Sequence, residues 1–160
     1  MGLTLPSEAQ WEYACRAGSD SRWWTGNERE TLEQQKAVNL ADAAAARTGA
    51  RWSGIAEWPE FDDGYAAHAP VGSFAANPFG LHDVHGNVSE WCLDGYSPRF
   101  YANSPEENPL APPESSASRV NRGGSFFVGP SFTRSSARKS VPPTNAGVDL
   151  GVRPARRIQD

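Results

Sequence analysis

Cysteine is scarce in this 160-residue chain: there are two, Cys15 and Cys92. They lie far apart and outside any Cys-x-x-Cys spacing, which excludes a readable thiolate zinc site and a disulfide-dense secreted framework. The two could pair with each other, but a pair of buried thiols in a reducing compartment is the plainer reading. No stretch reaches the ~18 consecutive apolar residues of a membrane helix, so membrane insertion is not expected. The first residues hold no basic segment followed by an apolar run, so no signal peptide is visible, and a cytoplasmic location is the default expectation. Basic charge is also short. Fifteen Lys and Arg against 19 Asp and Glu leave a net charge of −4, which argues against a nucleic-acid partner, since such binding needs phosphate neutralisation. Long uninterrupted helix-forming stretches are missing too. Fifteen Gly and 13 Pro recur too often for a helix bundle. What the chain does have is six Trp among those turn formers, with 38% hydrophobic and 21% charged residues. That composition is neither disordered nor fibrous, and the length suits one loop-rich domain packed through aromatics.

Along the chain, one helix is clearly signalled. Ser7 reads as its N-cap and Gln10, three residues on, closes a capping box. Trp11, Ala14 and Cys15 form an apolar stripe, and Gly18 is a stop. A short helix within 31–47, ending in the Ala43–Ala46 run, is predicted next. Residues 52–65 hold Gly54, Pro59 and Gly64 with Glu57, Glu60, Asp62 and Asp63. So irregular a stretch needs anchors beyond its own backbone hydrogen bonds. Pro70–Phe74 reads as a short strand, Asn77–Leu81 as a turn and 97–118 as an exposed Pro/Ser-rich loop. Residues 119–127, Phe132 to Lys139, and Leu150 to Ala155 read as further strands, with close backbone approach at Gly123-Gly124.

Six ordered segments carry a resemblance. They are Leu5-Pro6-Ser7-Glu8-Ala9-Gln10-Trp11-Glu12-Tyr13-Ala14, Pro70-Val71-Gly72-Ser73-Phe74, Asn77-Pro78-Phe79-Gly80-Leu81, Gly86-Asn87-Val88-Ser89-Glu90-Trp91, Arg119-Val120-Asn121-Arg122-Gly123-Gly124-Ser125 and Leu150-Gly151-Val152-Arg153. Together they resemble the formylglycine-generating enzyme/sulfatase-modifying-factor family. The resemblance implies an α+β, loop-rich variant of the C-type lectin fold. It also implies a single domain over 1–160 that lacks the N-terminal part usual in the family, since the Leu-Pro-Ser-Glu segment starts at residue 5.

Fold and chemistry separate at this point. The family's oxidases hold copper with two cysteines after Gly-Gly-Ser. The resemblance places those positions on Val128 and Thr133, neither of which supplies the thiolate that Cu(I) selects. A Trp that shapes the oxygen site aligns with Ser89, and Ser125 of Gly-Gly-Ser remains. Related sulfoxide synthases use iron on a His cluster, whereas this chain has three His. No catalytic residue is therefore assigned.

The resemblance does imply calcium. One site would take carboxylate oxygens from Asp83 and Glu90 and carbonyls from Gly86 and Val88; a second would take Asn39, the Leu40 carbonyl, Asp63 and the Tyr65 carbonyl. Such mixed oxygen sets suit a hard cation. Without an ion the same carboxylates would serve as turn caps. His82 and His85 offer no third and fourth ligand at a zinc spacing. Glu57, Glu60, Asp62 and Asp63 read as a solvated acidic loop rather than catalytic pairs, and Arg119, Arg122, Arg134, Arg138 and Arg153 mostly as structural arginines.

Two unmatched stretches, 126–133 and 143–149, fall where family members place ligand-facing residues. Strand alternation forbids Phe126, Phe127 and Phe132 from all pointing inward, so at least one of Phe126 and Phe127 should be exposed or covered by a loop. The expected ligand-binding residues are Phe126, Phe127, Val128, Ser131, Phe132, Thr144, Asn145, Val148 and Asp149. Variable proteins of diversity-generating retroelements are similar to this family, and their C-terminal variable positions bind ligand. Phe127, Val128, Gly129, Ser131, Phe132, Thr144, Asn145, Gly147, Val148 and Asp149 are compatible with that pattern. The expectation is a non-enzymatic domain binding a protein or small molecule on a calcium-stabilised scaffold. The alternative is an oxidoreductase of the same superfamily, formylglycine-generating or iron-dependent and sulfoxide-synthase-like, with its catalytic groups in a missing N-terminal portion.

Overall fold

The computed structural model describes residues 2–156. Its first helix, α1 (Glu8–Arg16), starts as the sequence dictates. The Ser7 side chain accepts from Gln10 N–H at 3.2 Å, and the Gln10 side chain accepts from Ser7 N–H at 2.9 Å. Trp11 and Cys15 are buried on its inner face, and Ala17 closes it in the left-handed conformation just before Gly18. The helix predicted within 31–47 is two short ones, α2 (Glu30–Gln34) and α3 (Ala43–Arg47). Asp42 caps α3 at Ala45 N–H and also accepts from Asp63 N–H, and residues 37–42 run between the two helices without helical structure.

Four strands form one small sheet: β1 (Ser89–Gly95), β2 (Arg119–Arg122), β3 (Lys139–Val141) and β4 (Leu150–Gly151), in the order β3-β2-β1-β4. β2 is antiparallel to both β1 and β3, and β4 runs parallel to β1. Glu90 faces Arg122 and pairs on its other side with Gly151. The sequence placed more strand than exists. Pro70–Phe74 is a turn, with Gly72 at φ 82° and its N–H held by Asp83. Most of 132–139 is also turn, because Pro130–Phe132 forms a 3-10 segment, and 152–154 carry no strand beyond an isolated bridge from Ala155 to Thr4.

Two aromatic clusters make the core. One gathers Trp23, Leu32, Val38, Leu40, Trp58 and Phe61; the other gathers Trp11, Cys15, Val84, Cys92 and Val120, and Trp24 packs against both. Between α1 and the sheet lies a buried ion network. The Arg122 side chain is fully buried and reaches Glu8 and Glu12, and Arg138 grips Glu8 through two 2.7 Å hydrogen bonds. Stripping one partner from such a network leaves an uncompensated buried charge. The arginines read as structural behave that way: Arg119 binds the Pro113 and Ser116 carbonyls, and Arg153 holds Glu90 and the His82 carbonyl. Both cysteines are free and buried.

Candidate functional site

The irregular loops are anchored by side chains, and the residues nominated for calcium are among the anchors. Asn39 and Gly86 sit side by side in an isolated parallel bridge, with Asn87 N–H donating to the Asn39 carbonyl at 3.0 Å. Gly86 has φ 77°, and a Cβ there would strike the Asn39 carbonyl oxygen, so only glycine lets the two loops meet. Asp63 accepts from Leu40 N–H at 2.8 Å and Tyr65 N–H at 2.9 Å. Burial pushes its carboxyl up to about 7 despite those donors. On the other loop Asp83 stands at φ 57°, with one oxygen accepting from Gly72 N–H. Glu90 accepts from Trp11 Nε1 at 2.7 Å and from Arg153 at 2.8 and 2.7 Å. Three donors on about four lone-pair positions leave Glu90 room for one more partner.

Several oxygens in these loops are unused. Asn39 Oδ1 and Asp83 Oδ1 are buried with no hydrogen-bond partner. The carbonyls of Leu40, Tyr65 and Gly86 accept no hydrogen bond among the described residues. Buried oxygens are rarely left so, and here they fall on nominated calcium ligands in both loops. Oxygen donors of this type are the kind a hard cation takes. A zinc-type cluster is absent: among the described residues no three His, Cys, Asp or Glu gather to hold a metal. The rings of His82 and His85 are committed to backbone. His82 Nδ1 meets the Phe74 carbonyl, and buried His85 accepts from Trp24 N–H at Nε2 while Nδ1 meets the Thr133 carbonyl. Burial lowers the His85 pKa to about 3, so this imidazole is neutral. The acidic loop disperses in the same way: Glu60 pairs with Arg29, Asp62 with Arg47, and Glu57 with Ser131.

Thr133 and Val128, which the resemblance sets at the copper-thiolate positions, are engaged within the fold. Thr133 is fully buried; its hydroxyl accepts from Trp23 Nε1 at 3.2 Å and donates to the Pro130 carbonyl at 3.1 Å. The Val128 carbonyl accepts from Ala41 N–H. Gly124 (φ 72°) lies so near that an added Cβ would be 2.8 Å from Thr133 Cγ2, which keeps the Gly-Gly-Ser turn pressed on this loop.

The second unmatched stretch, 143–149, is tied to matched segments at Asp149. Ser125 Oγ donates to Asp149 at 2.9 Å, and Ser89 N–H donates to the Asp149 carbonyl at 2.8 Å. Of the expected ligand-facing residues, Phe126 is buried (3% exposed), while Phe132 (49%) and Val148 (74%) are open. Thr144 and Asn145 are exposed as well, and Val128 and Asp149 are half-buried. Phe127 is half-buried and covered by a loop residue, Trp52, whose ring centroid is 4.5 Å away edge-on. Ser131 is exposed, but its N–H and hydroxyl are both spent on Glu57. Residues that spacing could not assign to this face are Trp52, Glu57 and Lys139. The Lys139 ammonium lies 5.2 Å from the Phe132 ring centroid, half-buried, and burial holds it below the ordinary lysine range while Asp149 acts the other way.

Residues 1–158 match the Sulfatase-modifying factor enzyme 1-like domain. The chain is 36% identical over 158 residues to the formylglycine-generating enzyme of Streptomyces coelicolor, covering 95% of this chain and 46% of that protein. It is 33% identical over 160 residues to the enzyme of Bos taurus, covering 95% of this chain and 38% of that one. It thus spans half or less of the length of these relatives. Among solved structures it is similar to Treponema denticola variable protein 1 (TM-score 0.76, 27% identity, 96% of this chain, 47% of that one). It is similar also to PvdO from Pseudomonas aeruginosa (TM-score 0.78, 30% identity, 98% of this chain, 53% of that one).

Proposed function

Because the chain belongs to the sulfatase-modifying factor enzyme 1-like family, whose α+β, loop-rich fold it shares, we propose that it uses that scaffold to bind a protein or small-molecule ligand rather than to oxidise a cysteine. The observation that carries this is the occupancy of the thiolate positions. Val128 has no donor atom, and Thr133 is sealed in with its hydroxyl already used twice. Elsewhere in the two unmatched stretches the chain presents Phe132, Val148, Thr144 and Asn145 to solvent, with Glu57 pinning Ser131 and Ser125 pinning Asp149. A rigid frame carrying exposed aromatic and small polar residues is the form a binding face takes. The likeness to a variable protein supports a surface whose residues vary while the frame stays, of the kind a diversity-generating retroelement would produce.

Calcium belongs to the same proposal. Asp83, Gly86, Val88 and Glu90 would hold one ion, and Asn39, Leu40, Asp63 and Tyr65 another. The support is the set of buried oxygens left without partners. The ions would supply charge neutralisation and loop order, with no chemical step. The competing oxidoreductase reading rests on the relatives' additional length, which could house catalytic groups elsewhere.

Two measurements test the reading. The purified protein, with and without copper, is incubated with a sulfatase-type cysteine peptide and followed by mass spectrometry; appearance of the aldehyde product overturns it. A random peptide library is then displayed against the protein, with a variant replacing Phe127, Phe132 and Val148 by Ser as the counter-screen. Peptides enriched on the native face and lost on the variant are the expected result.

A further inference from the structure

We propose that Asn87 is a positioning residue that locks the two candidate calcium loops into one unit, so that the chain takes up its two ions cooperatively. The inference deepens the calcium part of the proposed function and rests on it.

Asn87 stands between Gly86 and Val88, whose carbonyls are nominated for one ion, yet its N–H and its side chain reach the segments that hold the other. The N–H donates to the Asn39 carbonyl at 3.0 Å. The side chain grips Ala69 twice: Oδ1 accepts from Ala69 N–H at 2.9 Å and Nδ2 donates to the Ala69 carbonyl at 3.2 Å. Asn39, nominated for the second ion, completes the circuit, since its Nδ2 donates to the Ala67 carbonyl at 3.0 Å. Residues 39, 67–69 and 87 therefore form a closed ring of hydrogen bonds, and the ring begins two positions after Tyr65, another nominated ligand. Both asparagines are buried, Asn39 at 0% and Asn87 at 4% exposure. Asn87 holds φ 61°, a left-handed conformation that asparagine accepts more readily than most residues. The ring leaves one atom over. Asn39 Oδ1, on the same amide that holds Ala67, is buried without a partner, and Asp83 Oδ1, four residues before Asn87, is in the same condition.

These segments belong to no helix and to none of the four strands, so cross-links rather than a ladder give them their order. An ion that fixes residues 39, 40, 63 and 65 fixes, through the ring, the carbonyls of 86 and 88 as well. The ordering cost is then met once, and the second ion finds its oxygens already placed. Coupling of this kind commonly amounts to roughly five- to 150-fold in affinity and acts equally in both directions.

The full chain, stripped with EGTA and dialysed, is titrated with calcium chloride by isothermal titration calorimetry. Two ions should bind with a Hill coefficient of about 1.5 or more. Asn87→Gly keeps the left-handed backbone and removes the grip on Ala69, and its Hill coefficient should fall to about 1. Asn77→Ala removes another buried amide, one that holds the Ala14 and Cys15 carbonyls; it should lower Tm and leave the Hill coefficient unchanged. Hydrogen exchange gives a reading that needs no change at Asn87. In Asp83→Asn loaded with one calcium per chain, exchange at the amides of residues 86–88 should slow by about fivefold or more, although the ion sits on the other loop. Two ions bound independently, a single ion, protection confined to the loaded loop, or cooperativity that survives Asn87→Gly would each overturn this inference and leave calcium binding standing. No calcium uptake by the stripped chain would overturn both.

Discussion

Phe126 and Phe132 lie six positions apart in a stretch where sequence alone sends neighbouring rings to opposite faces, and the structure gives them opposite roles that a pair of truncations separates. Phe126 is 3% exposed and packs against Phe127 at 4.2 Å, Trp52 at 5.6 Å and His68 at 6.0 Å between ring centroids. Cutting it to Ala removes a core aromatic and leaves a cavity, a loss of roughly 3–5 kcal/mol. Phe132 is 49% exposed, so about half its transfer free energy is already forgone, which makes its burial worth about 1 kcal/mol. Its contact with Lys139 adds up to about 1 kcal/mol at an exposed site. Phe126→Ala should therefore cost more than Phe132→Ala by about 2 kcal/mol, equivalent to about 4 °C or more in Tm for a domain of this size. Urea unfolding followed by tryptophan fluorescence measures both. The midpoints should separate while the slopes agree, since neither change alters how much surface unfolding exposes. Equal losses, or a larger loss for Phe132→Ala, would mean that Phe132 is core and that the proposed face is not presented to solvent.

Calcium removal should be visible in the same unfolding assay. At a hundredfold excess over Kd one native-state site stabilises by about 2.7 kcal/mol, so EGTA should lower Tm by roughly 5–10 °C, and Asp63→Asn and Asp83→Asn should each blunt the response. No shift in protein first shown to be calcium-loaded would refute the ion. The acid limb of stability should report His85. Its folded pKa of about 3 lies below the ordinary 6.5, so the unfolded chain binds the extra proton. In the Asp63→Asn background, which removes the opposite linkage of that raised carboxyl, stability should thus be full above pH 6.5 and fall by up to about 1.4 kcal/mol per pH unit as the pH drops from 6.5 towards 3. His85→Gln should flatten that slope. Cys15, pushed up to about 12 by burial, should resist a thiol reagent in the native protein and react on unfolding. Installing Val128→Cys with Thr133→Cys should create Cu(I) affinity and cost about 1 kcal/mol or more through the Trp23 N–H left without its acceptor.

Local chemistry was the legible part of the chain. The capping box at Ser7 and Gln10 and the stripe through Trp11 and Cys15 predict α1 because every contact they need lies within one helix turn or faces one core. The six ordered segments place the family and its fold. Strand readings failed where a distant side chain decides the backbone. Asp83 takes the Gly72 N–H, turning Pro70–Phe74 and leaving Val71 94% exposed, and Glu57 clamps Ser131 from 74 positions away, curling 130–132 into a 3-10 turn. The same distance hid part of the face. Trp52 over Phe127 and Lys139 over Phe132 come together only through tertiary packing that no spacing rule encodes.

The ion network between α1 and the sheet also sets a timetable for synthesis. Glu8 leaves the ribosome 130 positions ahead of Arg138, which grips it twice. At ordinary translation speeds that interval is on the order of ten seconds. Throughout it α1 carries a carboxylate that cannot be desolvated alone, so the helix stays wetted on that side and the Trp11 face lacks its floor. The interface between α1 and the sheet can therefore close fully only once Arg138 has been made.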